Sequence, residues 1–259
     1  TEEAFYHAVG LPYIPPELRE DKGELEAAQK RSLPKLVDVG DIKGDLHMHT
    51  SYDLSSSHDV GRNTFGQHLS KAAALGYEYI GISEHNPGVS NHTEKQIIDI
   101  MKRRKEDYEQ LYYSWQNREK KRVQYFLMCE VDILSDGKLA LPIEALDYVD
   151  AVVVSLHSGF TQNRRAVTHR ILTAFSAHPK VRIFGHPTGR LLGSREGVDA
   201  DWPEVFADAK QRDIAFEINA FPDRLDLPDA LVYDAIKQGI RFTIDTDAHA
   251  IEHMDLMRY

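Results

Sequence analysis

His47 and His49 stand one residue apart in Gly44-Asp45-Leu46-His47-Met48-His49-Thr50, at the end of a short apolar stretch that reads as a strand. In an extended chain alternate side chains face the same way, so imidazoles at i and i+2 can converge on one metal ion. Alone, such a pair is weak evidence. Here metal-type side chains recur at the end of every later apolar stretch: His85 after Glu84, Glu130 before Val131-Asp132, His157, His186, Glu217 with Asn219, and Asp247 with His249. Any one of these histidines could be an ordinary hydrogen-bonded strand-end residue. Six of the chain's thirteen histidines falling at such ends is implausible by chance. Histidine and carboxylate without thiolate suit Mn²⁺, Zn²⁺ or Fe²⁺.

The elements that must position these residues alternate regularly. Strands are expected at 43–47, 77–83, 123–130, 151–157, 182–186, 215–219 and 241–245. Helices are expected at 64–75, 93–121, 143–148, 163–178, 202–212 and 228–238. Gly76 and Gly239 fit as C-caps, and Pro142 and Pro228 as first-turn residues. Strand–helix alternation over seven units predicts a parallel α/β barrel, and right-handed crossovers put all strand C-termini on one face. Six histidines, Glu130, Asp247 and an acid from the first loop make nine ligands, which suits two or three ions. Three divalent cations outweigh three carboxylates in charge, so the pocket would attract phosphate and promote metal-assisted hydrolysis of a phosphate ester.

Composition bounds the rest. The chain has 259 residues, 42% of them hydrophobic, enough for one large barrel domain. One cysteine, Cys129, allows neither an intrachain disulfide nor a cysteine zinc site, and fits a reducing compartment. No apolar run approaches the ~20 residues that span a bilayer, so the expectation is a cytoplasmic protein without membrane contact. A net charge of −10 is the wrong sign for a broad nucleic-acid surface, so any DNA contact is local or supplied by another domain. Residues 1–43, with Leu11-Pro12-Tyr13-Ile14-Pro15-Pro16 and two charged runs, read as a linker-like segment leading into a domain at 44–259, as if cut from a longer chain.

Asp45-Leu46-His47-Met48-His49-Thr50, Ser83-Glu84-His85-Asn86, Cys129-Glu130-Val131-Asp132, Ser155-Leu156-His157-Ser158, Gly185-His186-Pro187-Thr188 and Thr246-Asp247-Ala248-His249 resemble, in order, the motifs of the PHP (polymerase and histidinol phosphatase) superfamily. His186 to Gly193, Glu217-Ile218-Asn219-Ala220 and Arg224-Leu225-Asp226-Leu227 are similar to the C-terminal PHP domain of bacterial family X DNA polymerases. Gly10 to Glu20 resembles the tail joining the polymerase part to that domain, so the leading segment would be a remnant of the polymerase thumb tail. The resemblance implies a distorted (βα)₇ barrel with three divalent ions, Mn²⁺ favoured, and 3′→5′ exonuclease or 3′-end processing of DNA in repair. The implied metal ligands are His47, His49, His85, Glu130, His157, His186, Asp247 and His249, with an aspartate from the first loop. That loop is longer here than the family pattern. Asp59, just before the expected helix start, is favoured over Asp53 and His58.

Arg190 is a candidate phosphate clamp, and Arg224 with Asn219 a candidate holder of the terminal sugar or phosphodiester. Arg164-Arg165 and the basic runs at 102–105 and 118–122 read as solvated faces, the long helix burying Ile97, Met101, Tyr108, Leu111 and Tyr112. His7, His68, His92, His169, His178 and His253 read as ordinary. Competing readings are a phosphomonoesterase of histidinol-phosphatase type, a non-catalytic barrel stabilising an attached polymerase, and an amidohydrolase. Polymerisation itself would need the polymerase domain of a parent chain.

Overall fold

Strands β1 (Gly44–Met48), β2 (Tyr79–Ile82), β3 (Gln124–Asp132), β4 (Ala151–Ser155), β5 (Val181–Phe184), β6 (Ala215–Asn219) and β7 (Phe242–Asp245) pair in parallel in sequence order. This computed structural model describes residues 1–56, 58–119 and 122–258. Contacts divide the chain at Ile42 and Lys43. The first unit holds two short helices, α1 (Glu2–Ala8) and α2 (Glu24–Gln29), with Thr1 capping α1. Within it Arg19 pairs with Glu2 at 2.8 Å and lies over the rings of Tyr6 and Tyr13.

The second unit is a nearly closed seven-stranded barrel. Helices α3 (Phe65–Leu75), α4 (Glu94–Glu119), α5 (Arg164–Ser176), α6 (Trp202–Arg212) and α7 (Asp229–Gln238) form five of the six crossovers. The sixth, at Ile143–Tyr148, is a single 3₁₀ helix where an ordinary helix was expected. Pro142 and Pro228 are N-caps here, while Gly76 and Gly239 take the left-handed C-cap conformation as expected. The expected end of the long helix at Lys121 lies outside the described residues.

Main-chain and side-chain bonds together join β1 to the residues after β7. His49 N–H donates to Ala248 O at 2.8 Å and Ala248 N–H to His47 O at 3.2 Å. Leu46 N–H donates to Asp245 Oδ1 at 2.6 Å, and the Thr246 hydroxyl donates to Asp45. The seam therefore carries two buried carboxyls. Burial and then Asp245 push Asp45 up to about 8, and burial and then Glu217 push Asp245 up to about 6.

Strand alternation sorts the core. Cys129, Val131, Val152 and Val154 point outward to pack against Val167, Ile171 and Phe175 of α5 and their neighbours. Met128 and Val153 point inward and, with Ile183, fill the barrel floor. The next inward residue on β3 is Glu130, so apolar floor gives way to charge two residues up. Gly185 is needed there, since a Cβ would lie 2.5 Å from Ser155 Oγ and 2.7 Å from Val153 Cγ1. Among the described residues no helix is long and apolar enough to cross a membrane.

Helix α4 corrects one expectation. Arg104, read with its basic neighbours as solvated, is fully buried and ion-paired to Glu84. Lys102, Arg103 and Lys105 are exposed. Leu111 is also exposed, and the buried stripe runs Ile97, Met101, Arg104, Tyr108 and Trp115. The heptad spacing of that stripe put Arg104 on the inner face, where only a partner such as Glu84 makes a charge tolerable. Glu84 also accepts from the Tyr108 hydroxyl and from Thr50 Oγ1, the latter at 2.7 Å. Removing one partner of a buried pair strands the other charge, so Arg104→Ala should cost about 3–5 kcal/mol in urea unfolding. A loss below about 1 kcal/mol would place the pair in solvent-like surroundings.

Candidate metal centre

Glu130 occupies the middle of the barrel mouth, with no exposed surface. Its carboxylate lies 2.9 Å from His85 Nδ1 and His186 Nε2, 3.3 Å from His47 Nε2 and His157 Nε2, and 3.5 Å from His49 Nε2. Asp247, just past β7, shares two of these histidines, 3.1 Å from His49 Nε2 and 3.5 Å from His47 Nε2. Four groups of potential ligand atoms result, each mutually within 4.8 Å: His47, His49, Glu130 and Asp247; Glu130, His157 and His186; His49, His85 and His249; and His58 with His85 and His157. The first three contain eight residues. All eight residues come from strand ends or the loops just past them. His186 and Asp247 adopt left-handed backbone, with φ of 26° and 52°. For non-glycine residues such conformations cost about 1–3 kcal/mol and persist where surrounding structure enforces them.

The first-loop aspartates separate clearly. Asp59 faces the third group, 3.5 Å from His249 Nε2 and 3.8 Å from His85 Nε2, with its side chain 77% exposed. Asp53 is exposed and accepts from Ser55 N–H at 2.6 Å, within its own turn. His58 is at the rim and bonds Asp132. Gly61 closes the loop tightly, since a Cβ there would sit 2.0 Å from His49 O.

Outer acceptors orient the rings. Glu217 accepts from His47 Nδ1 at 2.6 Å, Asp132 from His157 Nδ1 at 2.6 Å, and Asp247 O from His249 Nδ1 at 2.9 Å. Each bond keeps the proton on Nδ1 and turns Nε2 into the cluster, so that Nε2, once deprotonated, is the ligating atom a metal needs. The roles of Glu217 and Asp132 were missed in the sequence, although Asp132 follows Glu130 by two and so shares its face.

The electrostatics match a site built for cations. Burial opposes charge on His47, but Glu217, Glu130 and Asp247 outweigh it and hold the imidazole well above its usual range. His157, opposed by burial but paired with Glu130 and Asp132, is pushed up to about 10. Burial, then His249 and His85, drive His49 well below its usual value. Glu130 and Asp247 resist the upward push of burial and lie well below the carboxylate range, chiefly through His47. Buried atoms without hydrogen-bond partners among the described residues include His47 Nε2, both nitrogens of His49, His85 Nδ1, Glu130 Oε2, Asp247 Oδ1 and His249 Nε2. Unpaired polar atoms are costly in an interior, and their convergence is what divalent cations would satisfy. The donor set fits such ions.

The three polar candidates end in different places. Arg224 is at the cluster, its Nε 3.5 Å from Asp247 Oδ2. Arg190 turns away to donate to Arg224 O at 2.9 Å and to Leu225 O, bracing the loop that carries Arg224. Asn219 is buried, donating to Glu217 Oε2 at 3.2 Å and accepting from Phe221 N–H at 3.0 Å.

No family model matches the chain. It is 34% identical, over its whole length, to the DNA polymerase/3′-5′ exonuclease PolX of Bacillus subtilis, of which it spans 43%. Among solved structures, it is similar to a Listeria monocytogenes protein provisionally described as a histidinol phosphatase. The TM-score is 0.56 at 18% identity, covering 82% of this chain and 97% of that one.

Because His47 and His157 are held protonated at neutral pH without metal, cation uptake must displace protons. Calorimetry of Mn²⁺ binding at pH 7.5 in buffers of different ionisation enthalpy should report about two protons released per chain. Stability of the metal-free protein should follow the same sign. A histidine raised on folding stabilises fully below its unfolded value of about 6.5. Stability from His157 should therefore fade as pH rises toward about 10. A urea midpoint unchanged from pH 6 to 10 would contradict this.

Proposed function

The chain belongs to the PHP superfamily, whose metal-dependent phosphoesterase chemistry its barrel mouth is suited to, and we propose that it hydrolyses phosphodiesters at DNA 3′ ends with three divalent cations, Mn²⁺ favoured. The carrying observation is Glu130 within 3.5 Å of five histidines, two of which also meet Asp247. The ligands would be His47, His49, Asp59, His85, Glu130, His157, His186, Asp247 and His249. When bound, closely spaced cations acidify water and offset the charge that builds on phosphate oxygens in the transition state.

The chain's own groups divide the remaining work. Glu217 and Asp132 hold His47 and His157 in the ligating tautomer. Arg224, partly exposed beside Asp247, meets a phosphate entering from solvent, and Arg190 keeps its loop in place. Asn219 acts by fixing Glu217. The net charge of −10 limits DNA contact to the terminal nucleotides, so further affinity comes from a polymerase part in a longer parent chain. The likeness to part of a polymerase–exonuclease supports that reading, with residues 1–43 as the connection.

The test compares a 3′-labelled oligonucleotide, p-nitrophenyl phosphate and histidinol phosphate on metal-free protein restored with Mn²⁺, Mg²⁺, Zn²⁺ or Fe²⁺. Mn²⁺ should give stepwise shortening of the oligonucleotide from its 3′ end. His49→Ala should abolish it, and Glu217→Gln should lower it about 10–100-fold. Preference for histidinol phosphate would instead identify a phosphomonoesterase. Cleavage by His49→Ala at the parent rate would end the assignment.

A further inference from the structure

Asp59 approaches His85 and His249 from a loop longer than the superfamily pattern, and its own contacts are long, 3.8 and 3.5 Å. The closer tie is one residue earlier. His58 Nε2 lies 3.0 and 2.9 Å from the two oxygens of Asp132, the same carboxylate that takes His157 Nδ1 at 2.6 Å. Both rings lie within hydrogen-bond distance of this one carboxylate, so His58 Nε2 and His157 Nδ1 are the donors and Asp132 accepts from each.

The rest of the segment is anchored away from the cluster. Leu54 is buried in the main core, Gly88 N–H donates to Ser55 O at 3.1 Å, and Gly61 N–H donates to Thr50 O at 3.0 Å. The Tyr52 hydroxyl donates to Asp107 at 2.6 Å. These bonds fix the loop's two ends, while His58 sets how its middle meets β3.

We infer that His58 is a positioning residue that, through Asp132, couples the placement of Asp59 to the orientation of His157. It would thereby link the candidate cation position of His85 and His249 to that of His157 and His186, with His85 facing one oxygen of Glu130 and His157 and His186 the other. The inference rests on the metal-binding reading above. His58 is not itself read as a ligand, because its Nε2 is engaged by both oxygens of Asp132. A cation among His58, His85 and His157 would also draw His85 and His157 away from Glu130, whose carboxylate lies 2.9 and 3.3 Å from them.

The experiment measures Mn²⁺ per chain by elemental analysis after dialysis at stepped free Mn²⁺, and amide hydrogen exchange across residues 52–56 and 58–62. His58→Ala should release one ion at a concentration that keeps the parent full, a midpoint shift of about 10–100-fold. Loss of the charge-assisted bond to Asp132 should also speed exchange at least tenfold. His58→Phe, which keeps the ring volume without the donor, should behave alike even if the alanine variant folds poorly. His58→Gln, whose amide can reach Asp132, should restore both readings. Asp59→Asn should weaken the same ion without speeding exchange, separating ligand from positioning residue. Parent-like Mn²⁺ binding and exchange in His58→Phe would overturn the inference. Variants that lose Mn²⁺ as expected, beside a parent that cleaves no phosphate ester, would leave the coupling standing and remove the phosphodiesterase reading.

Discussion

One carboxylate at the centre of five imidazoles sets the terms for the whole barrel mouth. Glu130 has no exposed surface, so its charge must be balanced locally or not exist. Strand geometry makes the balance possible. β3 lifts Glu130 just above the apolar floor of Met128, Val153 and Ile183, and neighbouring strand ends bring histidines to the same height. The barrel thus changes from hydrophobic to ionic within two residues of one strand, the period of the pleat. Closing the ring matters equally, because His47, His49 and Asp247 meet only where β1 joins the residues after β7. There a ladder of main-chain bonds is completed by the side chains of Asp45 and Asp245.

Around this centre lies a shell of acceptors that the ligand set alone would not require. Glu217, Asp132 and a main-chain carbonyl each take one ring N–H, so the other nitrogen points inward without choice. Such preorganisation moves the entropic cost of assembling the site into folding. The same logic extends outward. Glu84, adjacent in sequence to His85, is fixed by Arg104 and Tyr108 from α4, and it fixes Thr50 at the start of the first loop. A helix on the outside of the barrel therefore influences a loop at its mouth through a buried ion pair.

What was legible in the sequence follows period and position. Strand ends announced themselves because alternate residues share a face and because histidine is rare enough to stand out against β-branched runs. The helices were legible from caps, apart from the 143–148 crossover, which folds as a 3₁₀ helix. Arg104 was misread because charge runs are usually solvated, and only the stripe of Ile97, Met101 and Tyr108 around it carried the opposite message. Asn219 and Arg190 stood in suggestive places, but whether a donor faces a substrate or a neighbouring carbonyl depends on loop paths no pattern encodes. Arg190 donates to the carbonyls of Arg224 and Leu225, thirty-odd residues away in sequence.

The long first loop shows why a departure from a family pattern need not mean a lost site. Extra residues would normally loosen the aspartate they carry, since a longer loop samples more conformations. Here the added length includes His58, and its bond to Asp132 returns the loop to β3 one residue before Asp59. Asp132 already served His157, so the loop was secured by sharing an existing acceptor. A carboxylate has two oxygens and roughly four lone-pair directions, and it can accept from two rings without either losing its partner. The consequence is chemical as well as structural. On the coupling inferred above, the two candidate cation positions would share one carboxylate, and a change at the rim would reach the buried ligands around Glu130.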